Sequence, residues 1–157
     1  QDVQRAMRRI RADAARYGID VANILVVGAS AGGHVASSLA TGFDRPSYAP
    51  IDRVDTKSAR PDLVALLYPV IDMAQPYAHA GSREALLGPS PTREMEEQYS
   101  TYRHIRPDTP ATFLVHALDD KSVPPENSFN YLSALRAANV PAEAHRSEEH
   151  TSELQSH

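Results

Sequence analysis

Apolar residues along the chain fall into two kinds of pattern. Val3, Met7, Ile10, Ala14 and Tyr17 recur at helical spacing, so the pattern predicts a helix over 2–17, capped by Asp2 at its start and Gly18 at its end. Three other runs, Ile24 to Val27, Leu63 to Tyr68 and Thr112 to His116, are apolar without alternation. Runs of that kind suit strands buried on both faces of a parallel sheet. Residues 34–40 are small and apolar and predict a second helix. Residues 125–138 predict a third, with prolines in its first turn, Phe129, Leu132 and Leu135 on one face, and Asn139 as a left-handed cap. Pro141 to His145 reads as the start of a fourth strand.

Between these elements lie two polar, proline-punctuated stretches. Residues 42–61 read as a surface loop. Residues 74–109, with a short helical piece near Arg93 to Gln98, are too long for a simple connection and have the size of a lid or binding insertion. The order of helix, strand, helix, strand, insertion, strand, helix, strand is that of an α/β fold with a parallel sheet flanked by helices.

Composition narrows this picture little. The chain has 157 residues, 41% of them hydrophobic and 23% charged, with net charge −4 and no cysteine. No apolar run approaches the roughly 18 residues that span a bilayer. Without cysteine there is no disulfide framework or thiolate metal site, and no residue is assigned to a metal. Arg5, Arg8, Arg9, Arg11 and Arg16 make the first helix basic, but no aromatic or glycine-rich pattern accompanies them. A solvated helix face is expected there rather than a nucleic-acid surface.

The last twelve residues, RSEEHTSELQSH, stand apart. Read back into codons, Arg146 to Ser156 match the in-frame translation of a common sequencing-library adapter. They are expected to be read-through of synthetic sequence and are set aside from fold reasoning, with His150 and His157 given no chemistry. The opening QDVQRAMRRI begins in mid-helix, so residues 1–145 are expected to be a piece of a domain truncated at both ends.

The chemistry centres on LVVGASAGGHVA, residues 25–36. Gly28-Ala29-Ser30-Ala31-Gly32 fits G-x-S-x-G between a buried strand and a helix, the sequence of a nucleophile elbow. The turn is tight enough that positions two before and two after the serine must be small. Gly28 and Gly32 meet that need, and Gly33 relaxes it further. The helix N-terminus then presents the Ala31 N–H where an oxyanion would form. Neither G-x-G-x-x-G nor G-x-x-x-x-G-K-[ST] is present, which argues against a dinucleotide or phosphate loop. A serine nucleophile needs a histidine base and a carboxylate behind it, in the chain order serine, acid, histidine. Asp119 and Asp120, just past the third strand in VHALDDKSVP, supply the acid, one of the two serving and the other capping or solvated.

These residues, with ARPDLVALLYPVIDM, LLG, TPATFLVHALDDKSVPPENS and LRAANVPAEAH, resemble the carbohydrate-esterase group of the α/β-hydrolases. That group comprises acetylxylan esterase-like and bacterial feruloyl esterase-like proteins, with prolyl oligopeptidase-like relatives. The resemblance implies that Ser30 is the nucleophile. It also implies that Asp120 is the acid, by its D-x-x-V-P spacing. His34 and His116 match family positions but are packing or hydrogen-bonding residues, and His79, His104 and His145 are poor candidates for the base. The family's oxyanion loop would lie before Gln1 and its catalytic histidine beyond His145. The substrate implied is a carbohydrate ester or similar small ester, with no cofactor, nucleic acid or membrane partner. Compartment and oligomeric state are left open, although similar proteins are often secreted or periplasmic. The alternatives are a prolyl oligopeptidase-type peptidase and a non-catalytic binding module of the same fold.

Overall fold

A computed structural model describes residues 2–147; what is expected of His150, His157 and the rest of 148–157 lies outside the described residues. Four strands, β1 (Leu25–Ala29), β2 (Leu63–Leu67), β3 (Ala111–Ala117) and β4 (Ala142–Ser147), form one parallel sheet in that order. The helices are α1 (Asp2–Ala12), α2 (Ala14–Tyr17), α3 (Ala31–Gly42), α4 (Ala80–Leu87), α5 (Arg93–Tyr99) and α6 (Glu126–Ala137), with 3₁₀ turns at Arg53–Thr56 and Thr101–His104.

The sheet is stepped through in one direction, so right-handed crossovers carry every connection over the same face. On that face Val64, Leu66 and Leu114 pack against Ala36 and Ala40 of α3 and against Tyr131 and Leu135 of α6. The other face carries Leu25, Val27, Leu63 and Phe113, which are 52%, 56%, 47% and 37% exposed. The expectation of strands buried on both faces is therefore corrected. An unbroken apolar run signals two faces that avoid water, and the described residues put helices over only one of them.

The long N-terminal helix is also corrected. It breaks at Asp13, which leaves the helical region (φ −97°, ψ 6°), and Asp2 is the first residue of α1 rather than a cap outside it. Met7 and Ala14 are buried, whereas Ile10 and Tyr17 are exposed at 40% and 62%. Gln4 takes the place on the inner face, its Nε2 donating to the carbonyls of Gly42 and Arg45. Arg5, Arg8, Arg9 and Arg11 are paired with Asp52 and Asp55, Asp55, Asp13, and Asp62, so the basic face is engaged by the chain's own carboxylates rather than merely solvated. The expected caps hold at Gly18 (φ 65°) and Asn139 (φ 55°).

Residues 74–109 are a folded layer. Met73, Val70, Leu87 and Val123 share a buried cluster with Met95 against it. Thr101 Oγ1 donates to Ser37 Oγ of α3 at 2.9 Å. His79 starts α4, its Nδ1 accepting the Ser82 N–H, a cap that the sequence pattern did not signal because histidine is not among the usual capping residues.

Candidate active site

Ser30 is the single residue between β1 and α3, and it sits at φ 51°, ψ −123°. Positive φ costs a residue with a Cβ of order 1–3 kcal/mol and persists only where the surroundings impose it. Here they do. The Ser30 N–H donates to Leu67 O at 3.0 Å, extending the β1–β2 ladder by one residue, and Ser30 O accepts from Gly33 N at 2.9 Å and Val70 N at 3.0 Å. The backbone is thus bonded on both sides of the bend. Ser30 is half-buried while Ala31 and Gly32 are exposed.

The glycines divide differently from expectation. A Cβ on Gly28 would lie 2.3 Å from Gly32 O and 2.7 Å from Ala36 Cβ. One on Gly33 would lie 2.5 Å from Pro69 Cβ. One on Gly32 would meet nothing within 4 Å. The positions that must be small are therefore 28 and 33, and Gly32 contributes its carbonyl rather than its lack of a side chain. The constraint on Gly33 comes from Pro69 at the exit of β2, a tertiary contact that the local motif does not encode.

Ala31 is the first residue of the 12-residue helix α3. Its N–H has no carbonyl a turn earlier to bond, and the dipole of α3 favours negative charge in front of it. A cleft of about 380 Å³ opens beside it, lined by Ala31, His34, Val35, Met73, His79 and Leu86 among others.

Asp120 lies three residues past β3 and is 4% exposed, whereas Asp119 is exposed. Asp120 Oδ1 accepts from Ser122 N at 2.9 Å and Val123 N at 3.0 Å. Its other oxygen, Oδ2, is buried and has no hydrogen-bond partner among the described residues. Such an oxygen is costly unless a donor reaches it. Both Ser30 and Asp120 follow the carboxyl ends of parallel strands, with β2 between them. At about 4.8 Å per strand, the two strand ends are roughly 10 Å apart. That end of a parallel sheet is where α/β folds bind ligands.

Oδ2 of Asp120 is 3.6 Å from Nε2 of His116, but this is not an ion pair. Burial holds the His116 imidazole below its usual pKa, against the raising effects of the Val123 carbonyl and the Asp120 charge. The neutral ring is used up. Nε2–H donates to Val123 O at 2.9 Å, and Nδ1 accepts from Ser128 Oγ at 2.7 Å. His34 is buried and likewise held low by desolvation, with Nε2 donating to Tyr99 O at 2.9 Å. His104 bonds Gln98 O, and His145 lies on the open sheet face against Phe113, bonded to Glu143. None of these rings is brought into the serine–aspartate gap by the described contacts. Among the described residues no group of three or more His, Cys, Asp or Glu could hold a metal ion.

Two features of the site were missed by sequence reasoning. Tyr68, at the exit of β2, has φ 37°, and its N–H donates to Val115 O at 2.7 Å. Asn127 is fully buried at the start of α6, and its side chain makes four hydrogen bonds. Asn127 stands in an unremarkable helical stretch, and only the folded loops around it show its role.

A parallel sheet with a strained serine between strand and helix, and a buried aspartate two strands away, defines an α/β-hydrolase. The chain belongs to the BD-FAE family, whose profile matches residues 1–135. It is 40% identical over 146 residues to endo-1,4-β-xylanase B of Butyrivibrio fibrisolvens, covering 90% of this chain and 22% of that protein. It is 31% identical over 141 residues to an acetylxylan esterase of Xylanibacter ruminicola, covering 87% of this chain and 27% of that protein. Among solved structures, an acetyl ester-xyloside bifunctional hydrolase from Caldicellulosiruptor lactoaceticus superposes with a TM-score of 0.90 at 41% identity, covering 99% of this chain and 57% of that one. The chain therefore spans about a quarter of the length of these curated relatives and somewhat over half of the similar structure.

Proposed function

We propose that these residues form the nucleophile and acid portion of a serine ester hydrolase that removes acetyl or related acyl groups from carbohydrate or similar small esters. The observation that carries the reading is the forced left-handed backbone at Ser30, held between the cramped Gly28 and Gly33. In this reading Ser30 Oγ attacks the ester carbonyl while its proton passes to a histidine base. The Ala31 N–H, with a second donor, stabilises the oxyanion. Collapse of the tetrahedral intermediate expels the alcohol, which takes the proton back from the histidine. Water then attacks the acyl-serine by the same proton path, releasing the acid and restoring Ser30.

Asp120 Oδ2 is the acceptor for the base's Nδ1–H. With Oδ1 fixed by two loop amides, the carboxylate can turn only one oxygen to the histidine, which selects one tautomer. In the α/β-hydrolase chain order that histidine follows the acid. Carbohydrate esters are favoured as substrates by the names of the xylan-acting relatives.

The test uses the longest reading frame that contains these residues, with acetylated xylan, p-nitrophenyl acetate and proline-containing peptides offered in parallel. Ester cleavage that disappears in Ser30→Ala is expected. Peptide cleavage in preference to ester cleavage would favour a prolyl oligopeptidase-type enzyme. Binding without turnover of any substrate would favour a non-catalytic module.

A further inference from the structure

The serine and the aspartate follow different strands, and hydrogen bonds linked by short stretches of backbone join them. Three successive amides leave β2. Val70 N donates to Ser30 O at 3.0 Å, and Ile71 N and Asp72 N both donate to Asn127 Oδ1 at 2.8 Å. On its other side Asn127 Nδ2 donates to Pro124 O at 3.0 Å and to Tyr77 O at 2.9 Å. Pro124 closes the loop whose Ser122 and Val123 amides hold Asp120 Oδ1, and His116 Nε2 holds the Val123 carbonyl from below. Val70, Ile71, Asp72, His116, Asp120, Val123 and Asn127 are all buried.

The orientation of the Asn127 amide is unambiguous. Turned over, it would set its NH₂ against two amide donors and its oxygen against two carbonyls. All four of its hydrogen-bonding positions are used, so the side chain can take only one place. Buried, fully satisfied polar groups of this kind fix geometry where apolar packing would allow sliding.

We infer that Asn127 is a positioning residue for the reaction, setting the acid loop of Asp120 at a fixed distance from the Ser30 elbow, with His116 bracing the same loop. This rests on the ester-hydrolase reading above. Asn127 touches no reacting atom. It acts by holding Asp120 Oδ2 where the base's N–H must meet it, and a displacement of about 1 Å in such a constellation can cost on the order of 10²-fold in rate.

The experiment measures kcat and KM for p-nitrophenyl acetate in the longest reading frame containing these residues, for Asn127→Leu, Asn127→Asp, Leu135→Ala and Ser30→Ala. Leu135 is a buried core residue of the same helix, outside the bracket, and serves as a purely destabilising control. Asn127→Asp is isosteric and decides the matter even where Asn127→Leu fails to fold. When ionised it turns an acceptor toward Pro124 O and Tyr77 O. When protonated it regains one donor and keeps one acceptor. Its carboxyl, fully buried, set against two carbonyls and next to Asp72, titrates above the usual range, these effects opposing the two amide donors at Oδ1. Expected is a kcat about 10²-fold below wild type with KM little changed, and a mutant-to-wild-type kcat ratio that climbs as pH falls from about 8 to about 6. A folded Asn127→Asp with wild-type kcat overturns the proposal. So does a loss no larger than that of Leu135→Ala at matched stability, or a pH-independent ratio. Activity retained in Ser30→Ala overturns both this inference and the nucleophile reading, whereas full activity in Asn127→Asp alone leaves that reading standing.

Discussion

The elbow makes a prediction about alanine that the bare motif would not make. In G-x-S-x-G the two flanking glycines look equivalent, yet the structure separates them. Gly28→Ala puts a methyl 2.3 Å from Gly32 O and 2.7 Å from Ala36 Cβ, both far inside contact distance, and the nearest atom is backbone. The strand or the first turn of α3 must move by about 1 Å, and overpacking of that kind costs roughly 1–3 kcal/mol. Gly33→Ala meets Pro69 Cβ at 2.5 Å and falls in the same range. Gly32→Ala meets nothing within 4 Å, lies in α3 and is not among the positive-φ residues. It should stabilise by about 0.4–1 kcal/mol through the reduced entropy of the unfolded chain. The gap between Gly28→Ala and Gly32→Ala is then about 1.4–4 kcal/mol. At roughly 2–4 °C per kcal/mol for a domain of this size, their Tm values should differ by about 3–16 °C. Thermal unfolding followed by circular dichroism reads this directly. Equal destabilisation by the two substitutions would refute the packing argument. A Gly28→Ala protein as stable as wild type would do so as well.

Other expectations follow from the same contacts. Asp120→Asn keeps the loop acceptor but offers the wrong partner for a histidine tautomer, and should lower kcat for p-nitrophenyl acetate by about 10⁴-fold with little change in KM. His34 and His116 are held neutral by burial, so their folded pKa values lie below that of the unfolded chain. Their contribution is complete above a pH of about 6.5 and is lost as pH falls below it toward the folded pKa values, because the unfolded chain then binds more protons. Urea midpoints measured against pH should show this acid limb, and His116→Gln should flatten it. The open sheet face with Leu25, Val27 and Leu63 should drive self-association of residues 1–157 on their own. Val27→Thr with Leu63→Thr should reduce it in light scattering, and no change would mean that another surface is responsible.

Much of the architecture was legible because it is written locally. Unbroken apolar runs gave the first three strands to within a few residues, and Gly18 and Asn139 announced helix ends through their tolerance of positive φ. The elbow was legible for the same reason, since strand, serine and helix are contiguous. What escaped depends on contacts across the chain. The break at Asp13 interrupts a pattern whose period looks continuous. The open sheet face is invisible in the sequence, because an apolar run reads the same with one face covered or two. Gly33 is constrained by Pro69, and Asn127 by loops from two strands, so neither could be picked from its neighbours. Of the Asp119–Asp120 pair, position after the third strand left the choice open, and the family resemblance pointed to Asp120 by its distance from Val123-Pro124. The folded loop buries the second and leaves the first in solvent.

The central claim is that Ser30 is the activated nucleophile. A fluorophosphonate probe applied to the longest protein containing these residues, followed by peptide mass spectrometry, tests it most directly. The account predicts one adduct, on the peptide carrying Ser30, formed far more slowly in Asp120→Asn. An adduct on another serine, or none in a protein that still cleaves esters, would contradict it.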